Sequence, residues 1–484
     1  MITLRRISIL GLIKKLIRRN KIGIFKLGIL FAIAFVVWQI FPPPKNLATN
    51  AFHMIVIFIT SMTGIMLGIY RPVILLFISL LIANLTGTID VKQSFSGFSS
   101  TVPWFLFFVL SLSRVITKTT LGMRLAYIFI KYFGHKIAGL SCSIILTEFC
   151  AAPMLPSNTA RAASIGFPLV ISISKCLTQY TSGTALNSLK TYIALLYSYT
   201  NAICSATFST GMISNVLILN AMANVNLTMT WISWLKVTII PCGIILFVLP
   251  FILRVICNPR VEYTDDIKKQ IAKNYEELGA LTGKEKFIIL MFAIMLFMWI
   301  FSDAIGVPVI TTVLLGICIF IIAGILNIKE LFSNYETFSV FIVFGILISF
   351  VNCLMSSGAI DWFTNIISAV TANSNPTISF LYLSIIYFFA HYFFTGEGAR
   401  IVALYSPFLA ISIALGIDKT IAAMTLAVFS SLSDVLAHYT SPVTITMFST
   451  GYITTKKWLV CGFVTAIVMI CIWFIFCTAK LYLA

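Results

Sequence analysis

Apolar runs of about 18 residues or more recur from one end of this 484-residue chain to the other. A helix of that length crosses the roughly 30 Å of hydrocarbon in a bilayer. Hydrophobic residues make up 60% of the chain and charged residues 10%, whereas a soluble domain is about 25% charged. The longest polar interval, residues 259–286, is too short for a soluble domain. The sequence therefore predicts an all-α polytopic membrane protein, with one integral membrane domain over residues 1–484.

Basic residues outnumber acidic residues by 33 to 15, and their placement indicates membrane orientation rather than nucleic-acid binding. Residues 1–24 are predicted to form a basic tail on anionic lipid, and the positive-inside rule places the N-terminus in the cytoplasm. The eleven cysteines lie mostly in apolar runs and lack metal-ligand spacing. We therefore predict no metal site and no nucleic-acid partner. The basic residues at the start are Arg5, Arg6, Lys14, Lys15, Arg18, Arg19, Lys21 and Lys26.

Counted from a cytoplasmic N-terminus, the apolar runs predict eleven crossings and two re-entrant hairpins. Residues 45–256 and 286–484 then form two repeats, joined by a cytoplasmic loop at 257–285. The matching hairpins open on opposite sides, as in an inverted repeat. The predicted crossings lie near 25–41, 51–69, 72–87, 100–117, 190–222, 230–256, 286–303, 307–326, 336–355, 419–450 and 457–482, and the hairpins lie at 139–173 and 377–413. The basic patch after the fourth run contains Lys118, Arg124, Lys131 and Lys136.

The two predicted hairpins carry related motifs. The stretch that begins at Ser157 reads SNTARAASIGFP, and the stretch that begins at Gly396 reads GEGARIVALYSP. Both have an Ala-Arg pair and a final proline at the same offsets. Interrupted hydrophobic segments at corresponding places in two halves of a membrane chain are the best sequence indication of a transporter's binding site.

Polar residues at these interruptions favour an anion site. Ser157, Asn158 and Thr159 are residue types preferred at helix N-caps, and a helix N-terminus offers free N–H groups and a partial positive charge to a carboxylate. Gly396, Glu397 and Gly398 occupy the equivalent place, so two facing helix ends would suit a substrate with a carboxylate at each end. Two alternatives remain: an ordinary capped helix in a buried loop, and hydroxyls that bond only to their own helix. Hydroxyls at two further interruptions are Ser209, Thr210, Thr440 and Ser441, the last followed by Pro442.

Arg161 and Arg400 stand at the same place in the two motifs. An arginine within the membrane is costly and usually functional, so we interpret both as supporting charges at the cavity, with snorkelling to the interface as the alternative. Glu397 is an acid where an anion is expected. It could be protonated, pair with Arg400 or bind a cation, and the sequence leaves these three possibilities open.

Four more polar residues lie within apolar runs. Glu148 and Asp434 are acids that could serve in proton or ion coupling. His391 and His438 lie beside the second-half motifs, and we interpret them first as hydrogen-bonded residues that pack between helices.

Several longer motifs resemble the divalent anion/sodium symporter superfamily. They are LPSNTAR at 155–161, SATFSTGMISN at 205–215, HYFF at 391–394, ALYSPFLA at 403–410 and SSLSDVLAHYTSP at 430–442. The likeness covers nearly the whole chain and is greatest to the branch of plastid 2-oxoglutarate/malate translocators and bacterial citrate/succinate exchangers. It implies a homodimer in which a transport domain moves past a scaffold domain by an elevator-like shift.

The resemblance also implies roles for individual residues. The first tip, Ser157 to Thr159, matches a loop that contacts a substrate carboxylate and, in symporters, sodium, while Thr210 and Asn215 match an unwound span. The second tip departs from the pattern because glycines replace hydroxyl residues, which favours a sodium-independent exchanger. The candidate substrate-binding residues are Ser157, Asn158, Thr159, Thr210, Asn215, Gly396, Glu397, Gly398, Ser430, Ser431, Thr440, Ser441 and Pro442.

These features predict a carrier that exchanges dicarboxylates of the 2-oxoglutarate, malate and succinate class across a bacterial inner membrane. A sodium-coupled di- or tricarboxylate symporter on the same fold is the alternative, and sodium would then be its only cofactor. A membrane-embedded enzyme would need clustered catalytic carboxylates, which are missing at the ends of the apolar runs. A channel would need a filter-like repeat, which the apolar runs do not contain.

Overall fold

The computed structural model describes residues 21–134, 136–178, 181–259, 272–371 and 375–483. These residues form helices and connecting turns, and no strand occurs among them. Residues 1–20 of the predicted basic tail, and residues 260–271 of the predicted cytoplasmic loop, lie outside the described residues. The all-α polytopic class predicted from the sequence is confirmed.

The helices are numbered here in chain order. Those of the first half are α1 (Lys21–Ile40), α2 (Thr49–Met66), α3 (Pro72–Leu85), α4 (Val91–Ser94), α5 (Thr101–Thr117), α6 (Leu121–Phe133), α7 (Ile137–Ala151), α8 (Asn158–Thr178), α9 (Gly183–Thr207), α10 (Asn215–Asn224) and α11 (Trp231–Cys257). Those of the second half are α12 (Gly283–Ile300), α13 (Ser302–Ile305), α14 (Val309–Ile322), α15 (Ile328–Ser333), α16 (Tyr335–Ser356), α17 (Ala359–Thr371), α18 (Pro376–Phe393), α19 (Glu397–Ala414), α20 (Lys419–Leu436), α21 (Pro442–Phe448) and α22 (Thr455–Leu483).

Eight helices among the described residues are long and apolar enough to cross a membrane, or nine if the bent pair α5 and α6 is one span. Four further apolar helices have 10–17 residues, among them α3 and α7. Helices of that length cross a bilayer only where it is thin or where neighbouring segments complete the span. The eleven crossings counted from the sequence therefore stay a prediction.

The chain divides into two compact units. Of the described residues, 21–100 and 342–365 belong to the smaller unit. The Ser61 hydroxyl there donates to the Ser79 hydroxyl over 2.7 Å, joining α2 to α3. The Gly97 amide donates to the Ser349 hydroxyl over 2.8 Å. A Cβ atom on Gly97 would lie 2.1 Å from the Gly345 carbonyl oxygen, so this close approach requires glycine.

The larger unit comprises the described residues between 101 and 341 and between 366 and 483. Its core lies around α9 and α20, and 83% of the apolar window of α20 is buried, against 33% for α11. The Ser431 hydroxyl of α20 donates to the Ala202 carbonyl of α9 over 2.7 Å. Most residues of both helices are buried, and the two helices support the segments that end beside them.

Part of the basic patch predicted after the fourth run is an amphipathic helix. Helix α6 bends by 60° from α5, and its Arg124 side chain is buried rather than solvated. The Arg124 guanidinium donates to the carbonyl oxygens of Leu278 and Gly279 over 2.6 Å and lies 3.5 Å from the Glu285 carboxylate. This arginine therefore anchors the chain segment that leads into α12.

Helices α8 and α19 share an unusual irregularity. Each begins with four α-helical residues and continues with a five-residue π-helical turn, Ala162–Gly166 in α8 and Ile401–Tyr405 in α19. Their first residues are 239 positions apart. Pro168 and Pro407 stand just beyond the two turns, and a proline lacks the N–H that the regular ladder needs. Single π-helical turns are rare in proteins, and those that occur are often found at functional sites.

Candidate binding site at two helix N-termini

The first tip begins α8 with a side-chain cap. Ser157 has an extended backbone, and its hydroxyl accepts a hydrogen bond from the Ala160 amide over 3.2 Å. The Asn158 side-chain oxygen accepts from the Thr159 amide over 2.9 Å. This bond fixes the orientation of the Asn158 amide group and leaves its nitrogen as a donor.

The second tip begins α19 without a side-chain cap. Gly396 occupies the N-cap position, and Glu397 is the first helical residue. A Cβ atom on Gly396 would meet nothing within 4 Å. The missing hydroxyl at this tip is therefore a feature of the sequence and is not forced by crowding.

The two tips meet through the carboxylate of Glu397. The Asn158 side-chain nitrogen donates to both carboxylate oxygens over 3.2 Å, and the Ser214 hydroxyl donates to one of them over 3.3 Å. All three side chains are buried. The structure thus brings together the two segments that the sequence singled out, and their junction holds a carboxylate. We call the Asn158 and Ser214 donors the carboxylate site.

Arg161 of the first half forms a buried ion pair. Its Nε donates to Glu148 Oε1 over 2.6 Å, and one Nη donates to the carbonyl oxygens of Leu155 and Gly211, each over 2.6 Å. The other Nη donates to the Ser205 hydroxyl over 2.9 Å. The guanidinium thereby ties the first tip to the turn that follows α9.

Glu148 is equally well satisfied. Its carboxylate accepts from the Tyr197 hydroxyl over 2.8 Å and from the Asn201 amide over 2.7 Å, in addition to Arg161. Arg161 and Glu148 are both 0% exposed. A buried pair with this many hydrogen bonds is a structural group, and it leaves Glu148 little freedom to carry an ion or a proton.

Arg400 of the second half has different partners. Its guanidinium donates to the carbonyl oxygens of Tyr387, over 3.3 Å, and Ser430, over 2.5 Å, and it lies 4.9 Å from the centre of the Tyr387 ring. Its Nε has no hydrogen-bond partner among the described residues. Among the described residues Arg400 forms no ion pair within 4.0 Å.

Asp434 lies beside the second tip. Its carboxyl group is within hydrogen-bonding reach of the Glu397 carboxyl and the Ser441 hydroxyl, and it is 3% exposed. His391 Nε2 lies 3.5 Å from one Asp434 oxygen and donates to the Thr440 carbonyl over 3.1 Å. His391 Nδ1 contacts the Ser433 hydroxyl over 2.7 Å. His391 therefore joins α18 to the end of α20, which is the packing role expected for it.

Most of the remaining candidate side chains bond to the main chain. Asn215 donates to two carbonyl oxygens over 3.0 Å and so closes the turn between α9 and α10. Ser441 caps α21, which begins with Pro442. Thr159 is exposed, and His438 stacks on Phe448 with 4.1 Å between ring centres. The candidates whose hydroxyls donate to carbonyl oxygens are Thr210, Ser430, Ser431 and Thr440. These four shape the backbone around the tips.

A family model described as the sodium:sulfate symporter transmembrane region matches residues 21–482. The chain belongs to this family. The chain is 29% identical over 459 residues to the putative malate transporter YflS of Bacillus subtilis (strain 168), covering 95% of this chain and 96% of that protein. It is 31% identical over 449 residues to dicarboxylate transporter 1, chloroplastic, of Arabidopsis thaliana, with 91% and 80% covered. The inner membrane protein YbhI of Escherichia coli (strain K12) is 26% identical over 457 residues, with 93% and 95% covered. The resemblance drawn from the motifs is confirmed.

For this member of the sodium:sulfate symporter family, sequence reasoning missed two residues at the tips. Ser214 donates to Glu397, and Asn201 donates to the main-chain oxygen of Asn158 over 3.3 Å. Ser214 directly precedes Asn215 in the motif SATFSTGMISN, and Asn201 is an amide in the middle of a buried span. At both positions the available signal was a polar residue within a largely apolar stretch.

Proposed function

We propose that this protein is a secondary transporter that exchanges dicarboxylates of the 2-oxoglutarate, malate and succinate class. The observation that carries the proposal is the carboxylate site, where Asn158 and Ser214 donate to a carboxylate group. That group belongs to Glu397, so the same donors suit a carboxylate of a substrate. The Bacillus relative is named a putative malate transporter and the Arabidopsis relative a dicarboxylate transporter, which supports this substrate class.

The charges around the two tips also support an anionic substrate. Each tip is a helix N-terminus and carries a partial positive charge. At the first tip the Thr159 and Ala160 amides donate to side-chain oxygens. Arg400 lies at the second tip with a guanidinium nitrogen that has no partner among the described residues. A substrate with a carboxylate at each end could therefore be held from both sides, by Ser157, Asn158 and Thr159 and by the backbone from Gly396 to Gly398.

Transport requires that the site open alternately to the two sides of the membrane. We propose an elevator-type movement in a homodimer, with two halves related as an inverted repeat in the bacterial inner membrane and the N-terminus in the cytoplasm. The shared π-helical turns of α8 and α19 support the repeat. The buried helices α9 and α20 would move with the tips, because Ser431 of α20 is bonded to α9.

Exchange without sodium is favoured over symport. Sodium is a hard cation that prefers several oxygen ligands, and the second tip has glycines where hydroxyls would supply them. A sodium-coupled di- or tricarboxylate symporter is the second candidate, because the family is described by a sodium:sulfate symporter. The Glu397 and Asp434 carboxyl oxygens would be its available cation ligands.

Transport by purified protein in liposomes tests the proposal. Vesicles are loaded with malate, succinate, 2-oxoglutarate, citrate or buffer alone, and labelled 2-oxoglutarate is added outside with or without sodium. Uptake is expected only into vesicles loaded with a dicarboxylate, at the same rate with and without sodium. Sodium-driven uptake into empty vesicles would establish the symporter instead, and no uptake under any condition would contradict dicarboxylate transport.

A further inference from the structure

The second tip contains more acid than its basic residue can balance. Glu397 and Asp434 are both buried, and Arg400 is the arginine beside them. His391 also faces Asp434, but both of its ring nitrogens have partners that a neutral imidazole satisfies. The guanidinium of Arg400 donates to main-chain carbonyls rather than to either acid. With both acids ionised, the group would carry one uncompensated negative charge.

The excess negative charge is removed if the two acids, which are in contact, share one proton. The carboxyl groups of Glu397 and Asp434 interact through a side-chain hydrogen bond. Asp434 Oδ1 accepts no hydrogen bond from the described residues, although His391 Nε2 lies 3.5 Å from it. Two carboxylates at such a distance in a buried place do not both ionise. One proton on the pair leaves Glu397 and Asp434 with a single negative charge, which Arg400 balances.

Glu397 also occupies the place where a substrate carboxylate would bind. The Asn158 amide donates to both of its oxygens, and the Ser214 hydroxyl donates to one of them. A substrate carboxylate can accept hydrogen bonds from Asn158 and Ser214 only if Glu397 loses its negative charge and releases these donors. Its arrival would also add a second negative charge beside Arg400.

We propose that Glu397 and Asp434 form a proton-binding pair that opens the carboxylate site to substrate. The proposal rests on the function proposed above. The empty pair holds one proton, and ionised Glu397 closes the site by bonding to Asn158 and Ser214. Binding of a dicarboxylate takes up a second proton from water, which neutralises Glu397 and frees the donors. The net charge at the tip is unchanged, because one carboxylate and one proton arrive together.

The proton leaves when the substrate leaves. Each loaded carrier holds the same extra proton in both directions, so exchange of one dicarboxylate for another moves no net proton. Glu148, the buried acid of the first half, is instead bonded to Arg161, Tyr197 and Asn201. The pair is therefore a site for a proton at the tip that lacks hydroxyl ligands for a cation.

Calorimetry of dicarboxylate binding in two buffers with different ionisation enthalpies measures this proton directly. Free carboxylates titrate near pH 4, so the substrate stays doubly charged from about pH 6 to about pH 8. On the alkaline side of this range the wild type is expected to take up close to one proton per malate bound. Its affinity should then fall about tenfold for each unit of pH increase.

Two variants and a control make the result specific. Glu397→Gln should bind malate without taking up a proton and with an affinity that does not change with pH. Asp434→Asn replaces the protonated acid of the empty pair by a neutral amide, so this variant should still take up close to one proton per malate, because that proton goes to Glu397. Glu330→Gln removes an exposed acid paired with Lys118 and should match the wild type.

The outcomes separate this proposal from the proposed function. Malate binding without proton uptake by the wild type, or loss of that uptake in Asp434→Asn, would overturn the proton-binding pair and leave the exchanger intact. Failure of the wild type to bind or exchange any dicarboxylate would overturn the function and the pair together. If Glu397→Gln does not fold, as judged by size-exclusion chromatography, wild type and Asp434→Asn decide the question.

Discussion

Arg161 and Arg400 stand at the same place in two related motifs, yet their surroundings differ. Arg161 donates to a carboxylate, a hydroxyl and two carbonyl oxygens, so its charge is compensated within the first half. Arg400 donates to two carbonyl oxygens, and its Nε is left without a partner among the described residues. The comparison shows that the partners of a buried arginine, rather than its position in a motif, determine whether its charge is available to a ligand.

The two tips differ in the same way as the two arginines, with the groups of the first tip compensated and those of the second tip not. The first tip is capped by a serine hydroxyl and offers the Asn158 amide, whereas the second is uncapped and offers an acid. A neutral, fully bonded group supports the first tip, while the group at the second tip has acids that outnumber its arginine. The charges of the groups at the first tip are thus fixed, whereas the second tip has groups whose charge can change.

The largest effect is expected from Arg161→Leu. The substitution leaves Glu148 buried without its ion-pair partner, and breaking a buried pair in this way costs about 3–5 kcal/mol. Thermal unfolding of the purified protein in detergent should show a marked loss of stability. The double variant Arg161→Leu/Glu148→Leu should recover most of it, because an apolar pair of similar volume replaces a buried ion pair at little cost.

The same substitution at Arg400 tests the comparison. Arg400→Leu should destabilise the protein less than Arg161→Leu, since no carboxylate within 4.0 Å among the described residues loses an ion-pair partner. Equal losses of stability in the two variants would contradict the difference drawn between the halves.

Asn158→Ala should weaken dicarboxylate binding without unfolding the protein. It removes the donor that lies between the tips, and a hydrogen bond to a charged group contributes about 1.5–3 kcal/mol, which corresponds to a loss of affinity of about 10- to 150-fold. Exchange in liposomes should fall accordingly while size-exclusion behaviour is unchanged. Asn327→Ala, which removes an exposed asparagine that caps α15, serves as the matched control. Full exchange by Asn158→Ala would remove this residue from the site.

The sequence located the tips because both signals there are local. The length of an apolar run indicates a segment that prefers lipid. Ser157, Asn158 and Thr159 are residue types that are common at helix N-caps. The proline that follows each tip is also visible in the sequence, and in the structure a π-helical turn precedes it. Fold class and the place of the candidate site could therefore be predicted without coordinates.

The partners of individual side chains could not be predicted in this way. Asn158 meets Glu397 across 239 residues, and the direction of the Ser430 and Thr440 hydroxyls depends on backbone turns formed in the folded state. The amphipathic helices α6 and α17 were also missed, because apolar length does not detect a helix with one polar face. Local patterns indicate where a chain is irregular, whereas contacts between halves determine what the irregularity does.

The smallest effect is expected from Gly396→Ser, which makes the second tip more like the first. The backbone at Gly396 is extended, and a Cβ atom there meets nothing within 4 Å, so serine fits without strain. Its hydroxyl can cap α19 as Ser157 caps α8, and replacing glycine by serine at an N-cap is worth a few tenths of a kcal/mol, about the difference between the two residues in N-cap preference. A small rise in the unfolding temperature in detergent is expected, with Gly243→Ser as the control, since that glycine also has nothing within 4 Å but lies inside α11. A fall in stability at Gly396 would mean that the tip requires glycine for a reason other than space, and the contrast between a capped and an uncapped tip would then reflect a constraint of the fold.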